Sequence, residues 1–245
     1  MENDPFEILT IEPILPIIFE DEYLVAINKP HNLLVHRTKI AEEKTFFAVQ
    51  ILKKQLGIWV SPCHRLDRKT SGILLFAKTK EALVAMNEKF SKNQIQKKYI
   101  TFVRGFVPEE GICDRPLESE KGKLQDALTH YRCLQHIELP IEVSRYPTSR
   151  YSLVEVSPQT GRTHQIRKHF AQLRHYIIGD KTHGECKQNK MFETKFGLNT
   201  MLLHAAELEF SHPITNQKIK LSANMQAEFI AILQKINRPL IQNTN

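Results

Sequence analysis

Two rhythms of apolar and polar positions run along the chain, and they predict short strands interleaved with amphipathic helices. Ile17-Ile18-Phe19 and Tyr23-Leu24-Val25-Ala26-Ile27 flank the acidic Glu20-Asp21-Glu22 and read as strand, turn and strand, ended by Asn28-Lys29-Pro30. Val49, Leu52 and Leu56 then share one face of a helix, with Thr45 as its cap and Gly57 as its stop. The run Ile73–Ala77 is apolar throughout, as expected of a strand buried on both faces. A helix with Leu83, Met86 and Phe90 on one face follows, and then a long strand from Lys98 to Val107.

Further strands are predicted at Thr129–Leu134, Tyr151–Val156, Met201–Phe210 and Ile219–Leu221, the last after a hairpin turn at Pro213-Ile214-Thr215-Asn216. Pro158-Gln159-Thr160-Gly161 turns into a helix whose buried face carries Ile166, Phe170 and Leu173. His164 and Lys168 point the opposite way, and Arg167 lies on the edge between the two faces. The polar stretch Cys186–Asn199 reads as a loop, and Phe229, Leu233 and Ile236 mark a final helix. Strands that arrive in pairs through hairpins, with a few helices between, favour an α+β fold with a mixed, mainly antiparallel sheet. The organisation expected is a leader at 1–16, one domain at 17–237 and a short tail at 238–245. The charged segment at 109–123, punctuated by Gly111, Pro116 and Gly122, divides the domain into two sub-lobes.

The 245 residues carry 34 Lys and Arg against 27 Asp and Glu, a formal net charge of +7 that suits a polyanionic partner such as nucleic acid. No stretch is apolar and long enough for a membrane helix, and the acidic start lacks the cationic and apolar regions of a secretory signal, so a cytoplasmic protein is expected. Four widely spaced cysteines form no Cys-x-x-Cys pair and read as reduced thiols, mostly buried.

The candidate chemistry sits in three places. In His64-Arg65-Leu66-Asp67-Arg68-Lys69-Thr70-Ser71-Gly72, Asp67 stands between Arg65 and Arg68 just before the buried strand. Flanking guanidinium groups favour the charged carboxylate, which makes Asp67 a candidate nucleophile or charge stabiliser; an ordinary surface salt bridge is the plainer alternative. In Gly161-Arg162-Thr163-His164-Gln165-Ile166-Arg167-Lys168, a glycine turn meets a helix start amid basic side chains, an arrangement that suits phosphate and equally a capped, solvated helix. Tyr99, after Lys97-Lys98, could stack on a flat base or pack against the core. Eleven histidines raise a metal site as a rival, but no His-Glu-x-x-His or comparable ligand box occurs, and no Gly-x-Ser-x-Gly elbow supports a serine hydrolase.

Together these segments resemble the RluA-type pseudouridine synthases from about Ile17 to Ser222. Val25-Ala26-Ile27-Asn28-Lys29-Pro30 with Val35-His36 is similar to the family's first motif, His64-Arg65-Leu66-Asp67 with Thr70-Ser71-Gly72 to its second, and Gly161–Arg167 to its third. His175, Gly179-Asp180 and Leu202-Leu203-His204-Ala205 extend the match. His31-Asn32 stands where the family usually has Ser-Gly, Arg37 follows His36 where it usually has Pro, and Tyr176 follows His175 in the same way. Asn32 tolerates the left-handed backbone that the glycine would supply.

The resemblance implies a pseudouridine synthase fold with flanking helices and a central active-site cleft. It implies Asp67 as nucleophile towards the uracil ring or the ribose anomeric carbon, Arg167 as its ion-pair partner, and Tyr99 stacked under the uracil. Arg65 would fill the helix stack vacated by a flipped uridine. Arg68, Arg162, His164 and Lys168 would contact RNA. No metal, nucleotide or redox cofactor is implied. The expected partner is transfer RNA, bound by a monomer without a membrane and without the small basic RNA-binding module that some relatives carry in front. The segments Arg145–Tyr151 and Phe196-Gly197-Leu198 resemble the branch that modifies uridine 65 of transfer RNA. Other relatives modify large-subunit ribosomal RNA or both RNA types. A catalytically silent RNA-binding protein and a metal-dependent hydrolase are the competing classes.

Overall fold

A computed structural model describes residues 13–36, 46–119, 121–143 and 146–237. In chain order the elements are β1 (Ile17–Glu20), β2 (Leu24–Lys29), α1 (Ala48–Leu56), β3 (Ser61–Pro62), β4 (Ser71–Ala77), α2 (Lys80–Ser91) and β5 (Gln96–Arg104). Next come β6 (Glu110–Asp114), β7 (Leu117–Glu118), β8 (Leu124–Gln125), β9 (Leu128–Leu139) and β10 (Ser149–Pro158). The chain continues through α3 (Gln165–Gln172), α4 (Cys186–Phe196), β11 (Leu203–Ser211), β12 (Lys218–Ser222) and α5 (Ala227–Asn237). The main sheet runs β1-β2-β4-β11-β5-β10-β9-β6, with β12 added to β11 and β3 to β4. Among the strands of this sheet in the described residues only β4 and β11 pair in parallel, so the class is α+β with a mixed, mainly antiparallel sheet.

The reason β4 reads as apolar throughout is that both its faces are covered. Leu74 and Phe76 pack with Ile51 and Leu52 of α1, whereas Ile73, Leu75 and Ala77 pack with Ala82 and Met86 of α2. β5 repeats the arrangement: Phe102 joins the cluster of α4 and α5, and Val103 joins Ile166 and Phe170 of α3. Side chains alternate across a strand, so each covered face takes every second residue. Burial of each such large apolar side chain contributes about 1.5–3 kcal/mol.

Several expectations are corrected. The stretch 186–199 is not a loop but contains α4. Met191, Phe192 and Phe196 are buried against Phe102 and Tyr151, and the buried Gln188 accepts the Tyr151 hydroxyl proton. Gly197, at φ 72°, closes the helix. The apolar positions on α4 are too few to outweigh its polar composition by periodicity alone. β5 stops at Arg104, three residues before Val107, because Gly105 turns away with φ 83°. The leader is packed where it is described, with Leu15 buried and its backbone bonded in both directions to the Gln55 side chain. The helix cap expected at Thr45 lies outside the described residues; α1 begins after Phe47 without a side-chain cap bond. Of the four cysteines only Cys63 and Cys113 are buried. The 109–123 segment supplies edge strand β6 and the start of the separate β7–β8 hairpin, while the sheet itself runs unbroken through β11 and β5.

Candidate active site

One row across the sheet positions the site. Gly72 of β4 lies opposite Ala205 of β11, Ala205 opposite Tyr99 of β5, and Tyr99 opposite Val156 of β10. Gly72 has φ 106°, and a Cβ there would lie 2.2 Å from the Ala205 carbonyl oxygen. Only glycine permits that approach. It brings the loop before β4, which carries Asp67, close to the strand that carries Tyr99.

The loop itself is pinned at four points. The Leu75 amide donates to His64 Nε2 at 3.1 Å, Leu66 is buried in the α1 cluster, and the Thr70 amide donates to the Asp67 carbonyl. Lys29, fully buried, donates from Nζ to the carbonyls of Pro30, Leu33 and Arg68 at 2.8, 2.9 and 3.2 Å. Burial pushes Lys29 down to about 7, with the charge of Asp67 pulling the other way. Arg68 turns from the cleft and donates from Nε to the carbonyl of Asn32, whose φ of 63° is the left-handed conformation expected there.

The cleft is bounded by this loop, the end of α2, the start of β5 and the 158–167 turn, and it holds about 420 Å³. That size suits one small planar ligand and its sugar rather than a duplex. Asp67, Arg65, Tyr99, Arg162, His164 and Arg167 all line it. Arg167 is not an edge residue: it is buried, and its guanidinium is shared between two carboxylates. Nη1 donates to Asp67 Oδ2 at 3.0 Å, while Nε and Nη2 donate to the two oxygens of Asp180 at 2.7 and 2.8 Å. Burial works against the charge on Arg167, but its bonds to Asp180 and Asp67 outweigh that cost.

His164 is not on the helix but precedes it, at φ 56°, and its half-buried ring stands beside Asp67. Its Nε2 lies 3.8 Å from Asp67 Oδ1, and its Nδ1 meets His183 Nε2 at 3.0 Å. Burial pushes both rings below their ordinary values, which suits a neutral pair in which one ring donates and the other accepts. The Tyr99 ring packs between the α1 and α3 clusters. Burial first, then the Asp67 charge, raises its phenol above the ordinary value and keeps it protonated. Arg65 is exposed on the cleft wall. Arg162 is exposed and donates from Nε to the Asp126 carbonyl. Lys168 leaves the cleft and donates to the Glu118 carbonyl on β7.

Three residues of this site went unassigned in the sequence. Lys97 shares a strand face with Tyr99, lines the cleft, donates to the Thr160 carbonyl and is lowered to about 8 by burial; the two-residue spacing is the signal that points to it. Asp180 and His183 carry no local signal of contact with Arg167 and His164. Among the described residues no group of three or more His, Cys, Asp or Glu side chains could hold a metal ion, and no helix is long and apolar enough to cross a membrane.

A cleft with an aspartate, an arginine and a tyrosine on a mixed sheet is the setting that the sequence motifs imply. Residues 23–172 match the RNA pseudouridylate synthase family, and the chain belongs to it. A protein of Vibrio parahaemolyticus named tRNA pseudouridine synthase C is 42% identical over 222 residues, which are 86% of this chain and 90% of the relative. Its namesake in Vibrio vulnificus is 41% identical over 92% of this chain and 97% of its own length, and that of Haemophilus ducreyi 42% over 88% and 93%. The structure of human RNA pseudouridylate synthase domain containing 4 superposes with a TM-score of 0.70 at 24% identity, covering 90% of this chain and 92% of its own. Human RNA pseudouridylate synthase domain containing 1 gives 0.68 at 23%, over 92% and 86%. These two establish the likeness of fold.

Proposed function

We propose that this pseudouridine synthase isomerises a flipped-out uridine of transfer RNA, at position 65, with Asp67 as nucleophile. The observation that carries the reading is the Arg167–Asp67 contact at 3.0 Å inside a cleft walled by Tyr99. Relatives over 40% identical and named for transfer RNA support the substrate class. The resemblance of segments 145–151 and 196–198 to the uridine-65 branch supports the position. On this reading residues 17–237 form one catalytic domain acting as a monomer in the cytoplasm.

Arg167 aims one carboxylate oxygen and keeps the other available to the uracil ring or to the ribose anomeric carbon. The Asp67 carboxylate forms a transient bond to carbon, the glycosidic N1–C1′ bond breaks, the base turns, and a C1′–C5 bond forms while the bond to Asp67 is broken again. C5 gives up a proton and N1 gains one, so composition is unchanged and no co-reactant is consumed. Tyr99 stacks under the base with its neutral hydroxyl as a hydrogen-bond donor, and Arg65 fills the emptied stack. Arg162 and His164 meet RNA at the mouth of the cleft, while Arg68 and Lys168, turned to Asn32 and Glu118, contribute from outside it.

The test has two arms. Purified protein should form pseudouridine in an unmodified transfer-RNA transcript without added metal. Mapping pseudouridines in total transfer and ribosomal RNA from cells with and without the gene should show loss at uridine 65. Loss of a ribosomal site alone overturns the substrate reading, and RNA cleavage that a chelator abolishes overturns the reaction class.

A further inference from the structure

Two histidines stand together beside the oxygen of Asp67 that Arg167 does not bind. His164 Nδ1 meets His183 Nε2 at 3.0 Å, with the rings nearly perpendicular at 76° and their centroids 5.1 Å apart. His164 Nε2 lies 3.8 Å from Asp67 Oδ1, so the ring turns one nitrogen to each neighbour. Both backbones are fixed. His164 sits in the left-handed conformation ahead of α3, where its carbonyl accepts the Lys168 amide at 2.9 Å. The His183 amide donates to Asp180 Oδ1 at 3.0 Å, in a turn where Gly184 admits no side chain, since a Cβ would lie 2.1 Å from the Asp180 carbonyl oxygen. Burial holds both rings below the ordinary histidine value, against the pull of Asp67 on His164 and of Asp180 on His183, while Arg167 and Lys168 add to the lowering. The pair is therefore neutral, and the short contact between the two nitrogens holds one proton.

That proton has two homes, with opposite consequences. On His164 Nδ1 it would leave Nε2 bare, with a lone pair turned to a carboxylate. On His183 Nε2 it makes His164 Nδ1 the acceptor, so the proton that belongs to His164 sits on Nε2 and faces Asp67 Oδ1. The Asp67 charge favours the second arrangement, because an N–H attracts an anion that a lone pair repels. We infer that His183 is a positioning residue for the reaction: it donates to His164 Nδ1 and so fixes the tautomer in which His164 presents its Nε2–H to Asp67 Oδ1. The inference rests on the proposed role of Asp67. At 3.8 Å the N–H does not bind Oδ1 outright, which leaves that oxygen able to attack. When the bond from Asp67 to carbon breaks and its electron pair returns to the carboxylate, the same N–H faces the restored charge. No proton leaves the histidine pair in either step.

The experiment uses full-length protein above neutral pH, where both rings are neutral. Nitrogen NMR of histidine-labelled wild type, assigned with H164Q, should show His164 with its proton on Nε2 and a bare Nδ1; a proton on Nδ1 overturns the inference. Single-turnover rates on an unmodified transfer-RNA transcript test the consequence. H183F, which keeps a ring but no donor, should slow pseudouridine formation about tenfold, with transfer-RNA affinity within about threefold of wild type. H183Q, whose amide N–H reaches to the place of Nε2, should recover the rate to within about threefold of wild type. In an H164Q background H183F should change the rate by less than about threefold, because its target is already gone. An H183F rate within about twofold of wild type overturns the inference, and so does a loss that multiplies in full with that of H164Q. Equal slowing by H183F and H183Q overturns it as well, because it marks a merely structural role. Should H183F not fold, H183A is read by the same criteria. If wild-type protein makes no pseudouridine, the functional reading fails, and the nitrogen spectrum alone decides the tautomer.

Discussion

Arg167 reaches Asp67 across 100 positions of the chain, with Nη1 donating to Oδ2 at 3.0 Å. The second oxygen, Oδ1, has His164 Nε2 at 3.8 Å, beyond hydrogen-bond distance. One oxygen is thus restrained and the other left to the cleft. This asymmetry suits a carboxylate that must form and break a bond while remaining aimed.

Replacing Asp67 by Asn keeps the shape and an acceptor for Arg167 but removes the anion. Asp67→Asn should bind transfer RNA within about threefold of wild type and form pseudouridine at least about a thousandfold more slowly. Filter binding and nucleoside analysis of the product check both halves. Activity near the wild-type level would remove Asp67 from the nucleophile role.

Arg167→Met removes a cation shared by two carboxylates. Turnover should fall about a hundredfold while affinity changes little, because the side chain is buried behind Asp67 rather than displayed to RNA. Stability should fall too, by roughly 3 kcal/mol, since Asp180 is left buried without its partner. Single-turnover rates, binding isotherms and denaturant titrations separate these effects. A loss of affinity equal to the loss of rate would contradict the pairing role.

His64 gives the loop a dependence on acid. Its ring stacks on Phe90 at 4.9 Å between centroids and its Nε2 accepts the Leu75 amide, which only an unprotonated nitrogen can do. Burial first, then the charge of Lys97, pushes His64 down to about 3 from the model-peptide 6.5. Between those values the unfolded chain binds a proton that the folded protein refuses, so stability falls as pH drops through that window. From pH 7 to pH 4.5 wild type should lose roughly 2–3 kcal/mol more than His64→Gln, whose amide oxygen keeps an acceptor without titrating. Urea titrations at the two pH values decide it.

Gly72→Ala should damage the fold more than the chemistry. The added methyl meets the Ala205 backbone, in a residue with φ 106°, and the strand pair that aligns Asp67 with Tyr99 must part. A destabilisation of roughly 3 kcal/mol or more is expected from crowding and backbone strain together. Denaturant titration measures it, and a loss below about 1 kcal/mol would show that β4 and β11 can separate without cost.

The sequence by itself determined the strands that are apolar along nearly their whole length, β2 and β4, and the helices whose apolar positions recur on one face, α1, α2 and α5. It also determined the residue types of the cleft, because the Asp67 loop and the Gly161–Arg167 turn each lie within one short stretch. Tertiary structure decided the rest. Periodicity records which side of an element is apolar, so it assigned Arg167 to an edge, where the buried Asp180 makes burial of its charge tolerable. It read α4 as a loop, because three apolar side chains among polar ones mark a helix only once Phe102 and Tyr151 stand opposite them. Compensation of a buried charge and closure of a core depend on chain segments brought together from far apart. Asp180 gives no sign of pairing with Arg167 until the turn at Gly179 is folded against α3.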